Sequence, residues 1–210
     1  MTIKPINYEL TFSPDLKRFI FSGSEKIIFN LEHAVKEVVL DTVDLKIHKV
    51  ELLFQEKNVV SSFKLDRKSE KLIVRFSKVL QSGKYELSID FQGVLNDHLN
   101  GFYRSKYEVD GKIKYLATTQ FEAADARRAF PCIDHPSYKA AFDISLIVDA
   151  HLTAVSNGLV EREEKLAKNK KKVTFERTPK MSTYLLYLGA GEFESIENRY
   201  GTILLRVLTT

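Results

Sequence analysis

Apolar and polar residues alternate along most of this 210-residue chain. In residues 85–92, for example, Tyr85, Leu87, Ile89 and Phe91 alternate with polar side chains. A period of two is typical of a strand that buries one face and wets the other, so the pattern predicts β-strands. Strands are predicted at residues 7–12, 18–31, 37–40, 45–54, 72–76, 85–92, 142–149, 173–176 and 183–188.

Turn-forming residues separate many of these strands. Turns are predicted at residues 22–24, 82–83, 110–111 and 157–158 because Gly, Ser, Asn and Asp accumulate there. Within 45–54 the apolar phase reverses, which indicates a bulge or a tight bend. The fold class is therefore all-β, a large antiparallel sandwich or open barrel in one domain, with one short helical turn near 123–130.

Composition limits the location and the partners. The net charge is +4, and the densest basic run, residues 165–172, lies between two predicted strands. Lysines there usually solvate a hairpin tip, so we expect no nucleic acid and no membrane as partner, although a patch for nucleic acid or an anionic membrane stays open as the minor alternative. Cys132 is the only cysteine, and neither a signal peptide nor a membrane-length apolar run is visible. A cytoplasmic protein is expected.

The five histidines do not form a metal-binding motif. None belongs to a His-Glu-x-x-His sequence, and there is no Gly-x-Ser-x-Gly elbow and no phosphate-binding Gly-rich loop. Cys132 and His135 have a Cys-x-x-His spacing, but they supply only two of the four ligands of a structural zinc site. A metal bound there remains the minor alternative.

Residues 118–136 form the most unusual stretch. Gln120 and Glu122 follow a strand-like segment and point to the same side, since strand side chains alternate. An amide beside a carboxylate is suited to binding an ammonium group. From the residues alone, the competing interpretation is a structural ion pair between Glu122 and Arg127 or Arg128.

This stretch resembles the Thr-Gln-Phe-Glu…Asp-Ala-Arg-Arg-Ala-Phe-Pro-Cys…Asp…Pro segment of the M1 family of zinc aminopeptidases. Residues 101–105, 139–144, 154–158 and 178–186 resemble other family segments, in the family order. The resemblance covers essentially the whole chain. Within the family, the sequence looks most similar to the archaeal tricorn-interacting aminopeptidases.

The resemblance implies a saddle-like, all-β amino-terminal domain spanning residues 1–210. In the family, a thermolysin-like catalytic domain and a helical region follow. The Gly-Ala-Met-Glu-Asn and His-Glu-x-x-His segments of the catalytic domain do not occur here. The resemblance therefore implies zinc in the full-length enzyme, but no metal site and no catalytic residue within this chain.

The resemblance also assigns roles to individual residues. Glu122 matches the family glutamate that helps to bind the free α-amine of the substrate, and Gln120 matches a residue that lines the pocket for the first side chain. The implied partners are a peptide amino terminus and the protein's own catalytic domain. Arg127 and Arg128 are interpreted as structural residues that hold the acidic loop.

Two hypotheses of different classes follow. The first is the substrate-recognition domain of a zinc aminopeptidase that removes amino-terminal residues from peptides. The second is an independent β-sandwich module for binding or scaffolding. The coding sequence after Thr210 discriminates between them, because only the first predicts the catalytic segments there.

Overall fold

A computed structural model describes residues 3–210, and 66% of the residues lie in strands against 3% in helices. This confirms the all-β prediction. The strands are β1 (Ile3–Asp15), β2 (Ile20–Leu31), β3 (Val35–Asp41), β4 (Lys46–Glu51), β5 (Leu53–Phe54), β6 (Lys57–Asn58), β7 (Val60–Asp66), β8 (Lys71–Leu80), β9 (Gly83–Val94), β10 (Gly101–Val109), β11 (Lys112–Gln120), β12 (Ala141–Asp149), β13 (Thr153–Ser156), β14 (Val160–Leu166), β15 (Lys170–Phe175), β16 (Leu188–Gly191), β17 (Glu194–Tyr200) and β18 (Ile203–Thr209). Two 3-10 helices span Ala126–Arg128 and Thr183–Leu185.

The strands form one large sheet and several small ones. The seven-stranded sheet has the order β14-β15-β12-β1-β2-β9-β4, and all its pairs are antiparallel except β1 with β12. A four-stranded sheet has the order β10-β11-β16-β13, and a three-stranded sheet the order β3-β8-β7. One cluster of buried side chains includes Phe12 of β1, Val74 of β8 and Ala117 of β11. The three sheets therefore share a core, as in a sandwich.

Aromatic rings occupy the centre of that core. The ring of Phe12 lies 5.9 Å from Phe91, 5.8 Å from Phe102 and 6.2 Å from Phe130, all edge to face. Edge-to-face pairs at these separations add to the free energy of burial. Phe130 belongs to the segment between β11 and β12, so the core also anchors that segment.

The phase reversal in residues 45–54 marks an irregular strand, as predicted. The pairing of β4 with β9 shifts register between Ile47 and Lys49, and β5 begins only at Leu53. The helical turn predicted near 123–130 is present but short, since turns occupy 122–125 and the 3-10 helix has three residues.

Two local predictions were wrong. The turn predicted at residues 22–24 is the middle of β2, where a Cβ on Gly23 would lie 2.3 Å from a ring carbon of Phe91 on β9. Gly23 therefore makes room for a ring on the neighbouring strand. The strand predicted at 183–188 is instead a 3-10 helix that leads into β16, and the side-chain amide of Asn157 donates to the carbonyl of Leu185 at 2.9 Å.

The last two strands form a hairpin with its own two-stranded sheet. Every residue of this hairpin except Leu208 is exposed. Cross-strand pairing places Ile196 opposite Val207 and Tyr200 opposite Ile203. These four side chains are 71%, 62%, 79% and 59% exposed, respectively. The hairpin is therefore amphipathic, with an apolar face open to solvent. In the part of the chain described, 3–210, no helix is long and apolar enough to cross a membrane.

Candidate functional site

The segment from Phe121 to Ser137, here called the site loop, connects β11 with the approach to β12. Phe121, Ala126 and Phe130 are at most 1% exposed and fix the loop to the core. The backbone N–H of Asp125 donates to the carbonyl of Phe121 at 2.9 Å, which closes a turn around residues 122–124. The exposed tip of the loop is thus bounded by buried anchors on both sides.

Gln120 and Glu122 lie at one end of β11. Gln120 is the last residue of the strand and Glu122 begins the turn, and both are exposed. The peptide bond between Glu122 and Ala123 is cis. Among residues 3–210, Glu122 has no hydrogen bond or ion pair through its carboxylate. The carboxylate is therefore available to a ligand.

Arg127 makes its ion pairs behind the loop and not with Glu122. Its Nε donates to Oδ2 of Asp134 at 3.0 Å, and its Nη1 donates to Oε2 of Glu70 at 3.1 Å. The Asp134 side chain is only 1% exposed and that of Arg127 18%. Burial opposes the charge of Arg127, but the hydrogen bond to Asp134 and the charges of Asp41 and Asp134 outweigh it and raise the pKa of Arg127.

Asp41 at the end of β3 joins this network from the three-stranded sheet. Its Oδ2 accepts from the backbone N–H of Asp134 at 2.9 Å, and its Oδ1 binds the ammonium group of Lys71. The backbones of Asp41 and Cys132 also exchange two hydrogen bonds, of 2.7 and 3.1 Å. Sequence reasoning missed Asp41 and Asp134, because nothing local marks an aspartate whose partners lie far along the chain.

Arg128 packs on the other side of the loop. Its Nε donates to Asp125 at 2.7 Å and its Nη1 to Asp44 at 2.8 Å. Gly101 has a φ of +67°, and a Cβ there would lie 2.8 Å from the Cβ of Arg128. Both arginines therefore pair with aspartates and Glu70, in agreement with a structural role, and the proposed ion pair with Glu122 is not formed.

Segments distant in sequence meet beneath the loop. Thr183 donates through Oγ1 to Oδ1 of Asp134 at 2.7 Å, and Ser182 donates to the carbonyl of Pro136 at 2.7 Å. Ala140 and Met181 exchange backbone hydrogen bonds of 3.1 and 2.9 Å. Ser182 and Thr183, together with the backbone of Met181, thus hold the end of the site loop in place.

The Cys132–His135 pair does not suit zinc. Cys132 is completely buried, whereas His135 is exposed and accepts a hydrogen bond at Nδ1 from the N–H of Ser137 at 3.3 Å. Burial, with the negative charges of Asp134 and Asp41, raises the pKa of the Cys132 thiol, which disfavours the thiolate that zinc binds. Within residues 3–210, no group of three or more His, Cys, Asp and Glu side chains could hold a metal.

Comparison with known proteins agrees with these features. Residues 4–185 match the family model of the peptidase M1 N-terminal domain. The chain is 42% identical over 217 residues to "Aminopeptidase 2, mitochondrial" of Saccharomyces cerevisiae, covering 99% of this chain and 22% of the relative. It is 41% identical over 197 residues to the puromycin-sensitive aminopeptidase of Caenorhabditis elegans, covering 92% of this chain and 21% of the relative.

An all-β domain with this loop, and a family match over most of its length, define the class of the protein. The chain belongs to the peptidase M1 N-terminal domain family, and its relatives are aminopeptidases. It spans only about a fifth of their length. The narrower resemblance to the archaeal tricorn-interacting enzymes finds no support in these comparisons.

Proposed function

We propose that this chain is the substrate-recognition domain of a longer zinc aminopeptidase, in which Glu122 binds the α-ammonium group of a peptide. Gln120 lines the pocket for the first side chain. The observation that supports this role is the contrast within the site loop. Within residues 3–210 the Glu122 carboxylate has no hydrogen-bond partner, while Arg127 and Arg128 on the same loop are hydrogen-bonded to carboxylates.

A free carboxylate on an anchored loop is suited to recognising an ammonium group. The loop cannot withdraw Glu122 without breaking the buried contacts of Phe121 and Phe130, so little conformational freedom is lost when the ligand binds. Only the true amino terminus of a peptide offers a positive charge close to its first peptide bond. A fixed anion therefore selects removal of the terminal residue over internal cleavage.

The remaining chemistry belongs outside these 210 residues. Because the described residues do not fit zinc, no step of hydrolysis is assigned to them, and the metal and catalytic residues belong to a following domain. The 210-residue chain alone is therefore expected to be inactive. Its partners in this proposal are the peptide amino terminus and that catalytic domain.

The test is Glu122→Ala in the longer polypeptide, assayed with an aminoacyl reporter. Loss of one partner of a desolvated charge pair costs about 2–5 kcal/mol. The value of kcat/KM should fall roughly 30-fold to several thousand-fold, at about 1.4 kcal/mol per decade. Glu108→Ala is the matched control, since Glu108 is exposed at the far end of the β10–β11 hairpin. Unchanged kinetics in Glu122→Ala would overturn the proposed role.

The independent-module hypothesis is tested by the coding sequence after Thr210. Segments of the His-Glu-x-x-His and Gly-Ala-Met-Glu-Asn type support the aminopeptidase. A stop codon there favours the module.

A further inference from the structure

Glu25 of β2 is buried in the apolar core under the site loop. It is 4% exposed, and its strand partners are Leu10 of β1 and Ile89 of β9, each 1% exposed. Within residues 3–210, neither oxygen of its carboxyl group has a hydrogen-bond partner. A carboxylate in such surroundings is strongly destabilised, so the group avoids its charged form.

Among residues 3–210, the groups that face Glu25 offer no positive charge. A charge on Glu25 would raise the pKa of Tyr8 on β1 and of Cys132 in the site loop, and the core-facing residues of β9 beside it are apolar. Arg127, which acts on Cys132, is already bound to Asp134 and Glu70. Burial alone raises the pKa of Glu25 well above its usual value.

This cluster also joins the large sheet to the site loop. The hydroxyl oxygen of Tyr8 accepts a hydrogen bond from the backbone N–H of Ile133 at 3.1 Å. Tyr8 and Cys132 are completely buried. A charge on Glu25 would therefore arise near the Tyr8–Ile133 hydrogen bond, which fixes the site loop to the large sheet.

We propose that Glu25 makes the domain pH-sensitive: it is protonated in the folded state, and its ionisation at higher pH destabilises the fold beneath the site loop. This inference concerns the fold and stands whether or not Glu122 binds an amine. Its test therefore uses the 210-residue chain and needs no activity.

The direction of the effect follows from proton linkage. Unfolded Glu25 releases its proton near pH 4.3, whereas folded Glu25 retains it to higher pH. Between these two values the folded state binds more protons, so stability falls as pH rises and then levels off above the folded pKa. The unfolding equilibrium constant should increase up to tenfold per pH unit within this window. This corresponds to roughly 3–5 °C in Tm per unit.

Unfolding is measured from pH 5 to pH 8 for the wild type, Glu25→Gln and Glu25→Leu. This range lies below about 8.5, the ordinary pKa of a thiol, so ionisation of Cys132 in the unfolded state contributes little. In both variants the unfolding equilibrium constant should no longer rise up to tenfold per pH unit as it does in the wild type. Glu25→Leu should also be more stable than the wild type at pH 8. Glu108→Gln, an exposed strand position, should retain the wild-type pH dependence.

A carboxyl ¹³C NMR titration of the folded wild type gives a second readout that needs no variant. The Glu25 resonance should keep the chemical shift of a protonated acid well above pH 5. Titration near pH 4.3, or wild-type stability that runs parallel to both Glu25 variants from pH 5 to pH 8, would overturn the proposal.

Discussion

Arg127 is bound to Asp134, not to Glu122, through a 3.0 Å hydrogen bond from Nε to Oδ2 on the buried side of the site loop. This pairing separates two roles within a few residues. The arginine stabilises the loop from inside, and the glutamate, at the exposed tip, has no partner among the residues that the structure describes. The account therefore predicts that stability and substrate recognition respond to different substitutions.

The first prediction concerns the buried pair. Asp134→Ala should lower the free energy of unfolding by about 3–5 kcal/mol, because it leaves the Arg127 charge without its best partner. Chemical unfolding of the 210-residue chain measures this. Arg18→Ala is the control, since its pair with Asp15 leaves the arginine side chain 72% exposed and should contribute about 1 kcal/mol or less. Equal losses in the two variants would contradict the assignment.

The partners of Arg127 also show what the sequence could not predict. Alternation in 85–92 was sufficient to predict β9, because each of its faces has one environment. Whether Glu122 pairs with an arginine depends instead on distant carboxylates. Glu70, 57 positions from Arg127, and Asp44, 84 positions from Arg128, bind the two arginines in its place. Gly23 was predicted as a turn for the same reason, since only the fold brings the ring of Phe91 against it. Short-range patterns predict elements, whereas pairing across the fold decides which charges stay free.

A second prediction uses two glycines with similar backbones. Gly101 and Gly111 have φ values of +67° and +72°. A Cβ added to Gly101 would lie 2.8 Å from the Cβ of Arg128, whereas a Cβ added to Gly111 would have no neighbour within 4 Å. Gly111→Ala should cost about 1 kcal/mol for its backbone conformation, and Gly101→Ala more, because Arg128 must also move. Thermal unfolding compares them. A larger loss for Gly111→Ala would refute the close approach.

A third prediction concerns acid. Arg177 binds both oxygens of Asp143, at 2.7 and 2.5 Å, and this hydrogen bonding, with that from Asn7, lowers the pKa of Asp143. The resulting stability is present above the unfolded pKa near 3.9 and is lost as pH falls through the lower folded value. Arg177→Ala should therefore cost about 1 kcal/mol or less at pH 7, where this partly exposed pair is screened by solvent, and the cost should shrink as pH falls through the folded pKa of Asp143. A loss of stability in Arg177→Ala that does not change with pH would show that the loss does not come from the ionised Asp143.

A fourth prediction concerns the domain boundary. The family match ends at residue 185, before the β17–β18 hairpin. We propose that the apolar face of this hairpin packs on another part of a longer polypeptide. Replacing Ile196 and Val207 by Thr should change the stability of the 210-residue chain by within about 0.5 kcal/mol. In the longer polypeptide the same change should cost about 2 kcal/mol or more.

Leu204→Thr, on the opposite face of the hairpin, serves as the control. Equally small effects of the double variant in both proteins would mean that the apolar face has no partner there.

The central claim is that Glu122 recognises a positive charge, and inhibition of the longer enzyme tests it most directly. The inhibition constants of an amino-acid amide and of its des-amino analogue are compared in the wild type and in Glu122→Gln, which keeps the size of the side chain but not its charge. A charge-assisted hydrogen bond of roughly 1.5–3 kcal/mol predicts about a 10- to 150-fold preference for the amine in the wild type. In Glu122→Gln this preference should nearly vanish, while the stability of the 210-residue chain stays within about 0.5 kcal/mol. An unchanged preference together with a large loss of stability would show that Glu122 is a structural residue.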